Sequence, residues 1–267
     1  MDFTEKVVIV TGASSGIGAA TAKRFAAYGA SLTIVGRNEE RLLAVSKECA
    51  AYSGKLPLCL LLDLTEKTSC TQIAAKTVEI FGRIDVLINC AGGIAPTSMF
   101  DLTMDNFDEL FALNVRAPYE LTQKCLSHLI KTKGHVVNVF RAPLRVRPGL
   151  VALAILADAM ETFTRSSAVE LAAEGVKMNA VRPGYTRTNY LANLNVDVDE
   201  TLEMMSDFLP NKTVIEPEEI AETIVFIASG TLPNLNAASI VVDGAASVAF
   251  PCKVASSYVE VIKIGGK

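Results

Sequence analysis

The stretch Lys6-Val7-Val8-Ile9-Val10-Thr11-Gly12-Ala13-Ser14-Ser15-Gly16-Ile17-Gly18 decides the fold. Its run of valine and isoleucine reads as a short strand buried on both faces, and an alanine-rich helical pattern follows directly. Between them Gly12 permits a tight turn, while Gly16 and Gly18 let another group approach the backbone closely. A helix that opens in this way aims its unpaired first N–H groups, and the positive end of its dipole, at the loop. The loop is therefore built to seat a pyrophosphate through Gly12, Ser14, Ser15, Gly16, Ile17 and Gly18.

Working outward, apolar runs recur at Lys6 to Val10, Ser31 to Val35, Leu58 to Leu62, Ile84 to Asn89, His135 to Val139 and Val176 to Val181. Helix-period stretches separate them, around residues 16–28, 38–52, 66–81, 104–131 and 150–174, and a further helix is expected from Glu216. Such alternation implies right-handed crossovers and a doubly wound parallel sheet. The expected fold is an α/β, Rossmann-like single domain of about seven strands with helices on both faces. It is expected to span residues 1–245, with a mobile lid over residues 186–215, where polar breaks and Pro210 interrupt the pattern. A tail follows over residues 246–267, and its strand-like Tyr258-Val259-Glu260-Val261-Ile262-Lys263-Ile264 is open to pairing with another subunit.

Composition excludes several classes. The net charge is −4, with no basic segment to grip nucleic acid. No apolar run is long enough to span a bilayer and no signal or transit pattern opens the chain, so a cytoplasmic protein is expected. Six scattered cysteines without ligand spacing argue against zinc and disulfides, and no metal site is expected. His128 and His135 read as surface residues.

The motif set resembles that of the short-chain dehydrogenase/reductase family, classical type, from about Lys6 to Asp243. Beside the glycine loop, the resemblance rests on Asp63-Leu64, Asn89-Cys90-Ala91-Gly92, Asn114, Asn179-Ala180-Val181-Arg182-Pro183-Gly184, Thr188 and Val242-Asp243-Gly244. It implies that Asp63 and Leu64 hold adenine, that Asn89, Ala91 and Gly92 line the ribose side, and that Pro183, Gly184 and Thr188 cover the nicotinamide end. The strand ending Val35-Gly36-Arg37-Asn38 has glycine where a carboxylate would select NAD(H), and the Arg37 guanidinium beside it suits a 2′-phosphate. NADP(H), with Arg37 and Asn38 at its adenosine ribose, is the expected cofactor.

The same resemblance exposes a gap. The family's general acid is the Tyr of a Tyr-x-x-x-Lys pair, supported by an upstream Ser. Aligning on Ala159 to Arg165 puts the Tyr position at Leu153 and the Lys position at Ala157. Counting back gives Phe140 for the Ser, and counting forward from Val136-Val137-Asn138-Val139 gives Arg141. Neither supplies a hydroxyl. From Asn138 to Val176 there is no Tyr, Lys or His, and the hydroxyls of Thr162, Thr164, Ser166 and Ser167 lie further along the helix. Asn114 is the one member of the family's catalytic set in place, and Tyr185 is the best remaining phenol near the expected nicotinamide end. Two late glycine positions read Ala238 and Ala245.

The sequence therefore points to a noncatalytic or severely impaired protein, a pseudoenzyme that binds NADP(H) and acts as sensor, scaffold or binder of an apolar small molecule. That molecule would lie against Phe140, Leu153 and Ala157. One alternative is an NADP(H)-dependent carbonyl or alcohol oxidoreductase whose proton comes from Tyr185 or a lid residue, with Asn114 holding a water. Another is a structural oligomer subunit with a vestigial nucleotide site. Arg141, Arg145, Arg147, Arg182 and Arg187 make the strand-end side positive, which suits a phosphate or carboxylate. The resemblance also implies a homo-dimer or homo-tetramer, and neither nucleic acid nor membrane is an expected partner.

Overall fold

The computed structural model describes residues 1–100, 104–143, 149–194 and 196–249, so Arg145, Arg147 and the strand-like tail segment lie outside the described residues. One sheet holds β1 (Val7–Thr11), β2 (Ser31–Gly36), β3 (Leu58–Leu61), β4 (Val86–Asn89), β5 (His135–Val139), β6 (Lys177–Pro183) and β7 (Ser239–Val242). The spatial order is β3-β2-β1-β4-β5-β6-β7, and every pairing is parallel. This is the expected doubly wound sheet, with β7 added at an edge where the sequence showed no separate run. The order reverses between β1 and β4, and at such a switch point the diverging loops open a crevice beyond the strand ends.

The helices are α1 (Gly16–Ala27), α2 (Glu39–Ser53), α3 (Ser69–Phe81), α4 (Asp105–Phe111), α5 (Ala117–Thr132), α6 (Val151–Leu171), α7 (Val198–Ser206) and α8 (Pro217–Ala228). Alternate strand residues feed opposite layers, as the two-residue period of a strand demands. Val8, Val10, Leu32, Ile34, Val86 and Ile88 join the core beneath α1, α2 and α8. Ile9, Val35, Leu87 and Val136 join the core beneath α3, α5 and the later turns of α6. Each fully buried Val, Ile or Leu is worth about 1.5–3 kcal/mol, so these strands hold the fold and leave their end loops available for function. Among the described residues no helix is long and apolar enough to cross a membrane.

Two expectations need correction. The helix expected over 104–131 is interrupted by a π turn at Ala112–Arg116. Asn114 accounts for it: its side-chain amide donates to Leu110 O at 2.9 Å and competes with the helical ladder. Within 186–215 lie a 3-10 turn at Asn189–Leu194 and the helix α7, whose Leu202 packs with Leu209 and Val214. His135 is half-buried under Gly230, and its Nδ1 is buried without a partner.

The opposite end of the sheet is tied by Asp85, which is only 3% exposed. Its carboxylate accepts from Val7 N at 3.0 Å and from two Arg83 nitrogens at 2.8 and 2.6 Å, while its carbonyl accepts from His135 N at 2.9 Å. One residue thus joins the starts of β1, β4 and β5.

Candidate functional site

The glycine loop forms the floor of the crevice. Ser15, at the N-cap of α1, makes no side-chain capping bond, and no acid lies in the first turn. The helix therefore offers its N–H groups without an anion of its own. A Cβ on Gly18 would lie 2.3 Å from Gly12 O, and one on Gly12, at φ +68, would lie 2.8 Å from Ala91 Cα. A Cβ on Gly16, at φ +54, would meet the Thr188 methyl at 2.8 Å. Thr11 Oγ1 accepts from Cys90 N at 3.0 Å and Ala91 N at 3.1 Å, which holds the end of β4 against the end of β1. Ser14, Ser15 and Gly16 line an open groove of about 380 Å³ that Thr188 and Asn189 border from the other side. A side chain at any of these glycines would collide with the loop, the end of β4 or Thr188, and the open start of α1 beside them suits a pyrophosphate. Ile17 packs on the core below.

Toward β2 and β3, Gly36 leaves room for Ser14, since a Cβ there would come within 3.0 Å of the serine Cβ. Arg37 Nη1 lies 3.3 Å from Asp63 Oδ2. Although burial works against it, hydrogen bonds from Thr65 and the Arg37 charge hold Asp63 below the usual carboxylate range. Leu64 is buried in the core. Asn38 caps α2, its side-chain oxygen accepting from Arg41 N at 2.9 Å, so its carbonyl is already engaged.

At the end of β4, Asn89 does not turn its side chain to the crevice. Its amide donates inward, to Asn138 Oδ1 at 2.9 Å and Thr122 Oγ1 at 3.3 Å, which leaves its backbone as the part that can line the crevice. Ala91 lies against Gly12, and a Cβ on Gly92 would lie 2.9 Å from Asn114 Oδ1. Asn114 clamps the next residue: its Oδ1 accepts from Gly93 N at 3.0 Å and its Nδ2 donates to Gly93 O at 3.3 Å. Burial pushes the Cys90 thiol up to about 12, which leaves it inert as a nucleophile. Among the described residues no group of three His, Cys, Asp or Glu side chains is placed to hold a metal.

On the β5–β6 side, Leu153 and Ala157 are buried, at 5% and 7% exposure, and offer no titratable group. The start of α6 is held from outside the helix, where the Thr97 hydroxyl accepts from Ala152 N at 3.1 Å. Phe140 does not form an open apolar wall, because the Arg182 guanidinium lies over its ring at 5.1 Å. Arg182 also donates to Arg141 O at 3.1 Å and pairs with Glu161 at 3.3 Å, and Glu161 accepts from Ser239 Oγ at 2.6 Å. Pro183 is buried and its carbonyl accepts from Ala142 N at 2.8 Å, while Gly184 leaves space that Asp243 fills. Tyr185 packs into the small lid core with Leu202, Leu209 and Val214. A second phenol, Tyr190, reaches the β4 loop, its hydroxyl donating to Gly93 O at 2.9 Å. No spacing rule singled it out in the sequence, since its partner lies 97 residues away.

A family model described as Enoyl-(Acyl carrier protein) reductase matches residues 12–247. Meso-2,3-butanediol dehydrogenase of Serratia marcescens is 30% identical over 92% of this chain and 96% of its own. Glucose 1-dehydrogenase of Gluconobacter oxydans is 30% identical over 91% of this chain and 92% of its own. Among solved structures, a short-chain dehydrogenase/reductase of unknown function from Caenorhabditis elegans, crystallised with cofactor, superposes with a TM-score of 0.88 at 33% identity. That match covers 93% of this chain and 97% of the other. Relatives of this extent named as dehydrogenases overturn the reading of the sequence as a noncatalytic sensor, scaffold or binder, and the oxidoreductase alternative takes its place.

Proposed function

Because the chain belongs to the short-chain dehydrogenase/reductase family, we propose that it is an NADP(H)-dependent oxidoreductase interconverting a carbonyl compound and an alcohol, with an unusual proton donor. The observation that carries this reading is the glycine loop at the switch point, where glycines let the loop, the end of β4 and Thr188 close together beside a helix N-terminus that carries no side-chain cap. When bound, the nicotinamide ring supplies or accepts the hydride. The N–H groups of α1 bind the pyrophosphate, Asp63 and Leu64 receive the adenine, and Pro183, Gly184 and Thr188 back the nicotinamide end. Arg37, beside the side-chain-free Gly36, pairs with a 2′-phosphate and sets the preference for NADP(H). Asn114 fixes the β4 loop through both polar atoms of Gly93. The segment 186–215 acts as a lid that excludes water.

We further place the substrate among apolar carbonyl compounds, and the protein in the cytoplasm as a homo-dimer or homo-tetramer. Exposed Tyr119 on α5 and Ile155 on α6 support assembly through those helices, and no nucleic acid or membrane takes part. The test is purified protein with NADPH or NADH against a panel of aldehydes, ketones and alcohols, with nucleotide binding followed by fluorescence. Saturable binding, tighter for NADPH, and turnover of at least one carbonyl are expected. Binding without any turnover across the panel overturns the reading.

A further inference from the structure

We propose that Tyr190 is the proton donor of this site and that Arg141 poises it, an inference that rests on the oxidoreductase reading above. The phenol reaches Gly93 O at 2.9 Å, and the same carbonyl accepts from Asn114 Nδ2 at 3.3 Å, so lid, β4 loop and π turn meet at one atom. The segment that carries Tyr190 begins at Thr188, whose methyl faces Gly16, and Thr188 Oγ1 accepts from Tyr190 N at 3.3 Å. Residues 188–190 therefore cross the mouth of the crevice from the pyrophosphate loop to the β4 loop. A dinucleotide leaving the cradle along the switch point runs beneath this crossing.

Arg141 arrives from the other side. The β5–β6 ladder continues beyond β5 through Phe140 N to Val181 O at 3.2 Å and Ala142 N to Pro183 O at 2.8 Å. With the Phe140 ring held under Arg182, strand alternation sends the Arg141 side chain the opposite way, and its charge is felt at Tyr190. Tyr190 is 38% exposed, and the desolvation it does experience pushes the phenol up to about 12 against the downward pull of Arg141. Tyr190 therefore holds its proton through the neutral range, and the Arg141 charge is the influence that draws it toward the range in which a general acid transfers it.

As the substrate's carbonyl carbon receives hydride, the C=O π pair moves to oxygen and that oxygen takes the Tyr190 proton. Gly93 O releases the phenol to it. The phenolate left behind is held by the Arg141 charge and regains a proton from solvent.

The experiment compares wild type with Tyr190→Phe, Arg141→Met and Arg141→Lys in NADPH affinity, turnover and pH profile. It adds fluorine NMR of protein made with 3-fluorotyrosine, in which the Tyr190 signal is the one missing from Tyr190→Phe. Expected are a loss of turnover of about 10²- to 10⁴-fold in Tyr190→Phe with NADPH affinity kept, and a Tyr190 signal that moves when NADP⁺ is added. Arg141→Met is expected to shift the basic limb of the pH profile upward, and Arg141→Lys to restore it. Turnover undiminished in Tyr190→Phe, a signal indifferent to NADP⁺, or NADPH affinity lost with turnover overturns the donor assignment and leaves the oxidoreductase reading intact. An unmoved pH profile in Arg141→Met removes Arg141 from the assignment. A wild type that turns over nothing overturns both readings.

Discussion

The two walls of the crevice are made of different material. Beside β1 and β2 the wall is backbone, shaped by Gly12, Gly16, Gly18 and Gly36 and by the open start of α1. Beside β5 and β6 it is side chains, with Arg182 bound to Glu161, laid over Phe140 and bonded to the Arg141 carbonyl, while Tyr190 leans in from the lid. A backbone wall tolerates no change of residue at its close contacts but depends little on partners. A side-chain wall depends on partners far apart in the chain, and each can be altered without moving the backbone.

That contrast can be attacked at four points. The largest effect is expected from Arg182→Met, which takes from Glu161 the more buried of its two arginine partners and leaves it Arg165 at 2.6 Å. Removing one partner of a buried pair costs roughly 3–5 kcal/mol, and the melting temperature is expected to fall by about ten degrees with nucleotide affinity of the folded protein unchanged. Adding Glu161→Leu is expected to recover much of the loss, and a calorimetric cycle of the two variants checks it. Weaker nucleotide binding in Arg182→Met would show that the walls are not independent.

Next comes Gly18→Ala, whose Cβ would lie 2.3 Å from the Gly12 carbonyl oxygen. Overpacking of about 1–3 kcal/mol, expressed at the loop, weakens NADPH binding roughly ten- to hundredfold, as read by fluorescence titration. Arg37→Ala is expected to weaken NADPH binding about tenfold and NADH binding hardly at all, because the arginine is largely exposed and acts on a single phosphate. An equal loss for both nucleotides would move Arg37 from selecting the cofactor to supporting Asp63.

The smallest effect lies away from both walls. Burial, with Lys177 and Lys6 nearby, lowers His135 from 6.5 to about 4. Between those values the unfolded chain binds a proton that the folded chain refuses, so stability falls as pH drops from 6.5 toward 4. Melting curves of His135→Gln are expected to show a shallower loss over that window. Curves parallel to the wild type would assign the acid sensitivity elsewhere.

The same contrast governs what the sequence reveals. The strands and the cradle were legible because a buried parallel strand must be an apolar run and a close-approach loop must carry glycines, and both are local constraints. Asn114 was found from its place in the pattern, but the π turn it makes was not, since Leu110 and Gly93 become its partners only after folding. Tyr190 was hidden for the same reason. Asn89 shows the converse: its motif marked the end of a crevice strand, yet its amide serves an inward chain through Asn138 to Thr164.

Asp85 closes the other end of the sheet, joining the first residues of three adjacent strands. Amide hydrogens held there, those of Val7, Asp85 and His135, are expected to exchange with deuterated water only when the whole domain opens. The backbone around residues 188–190 is expected to trade its hydrogens in local openings. A sheet clasped at its base in this way can let its rim breathe without losing register.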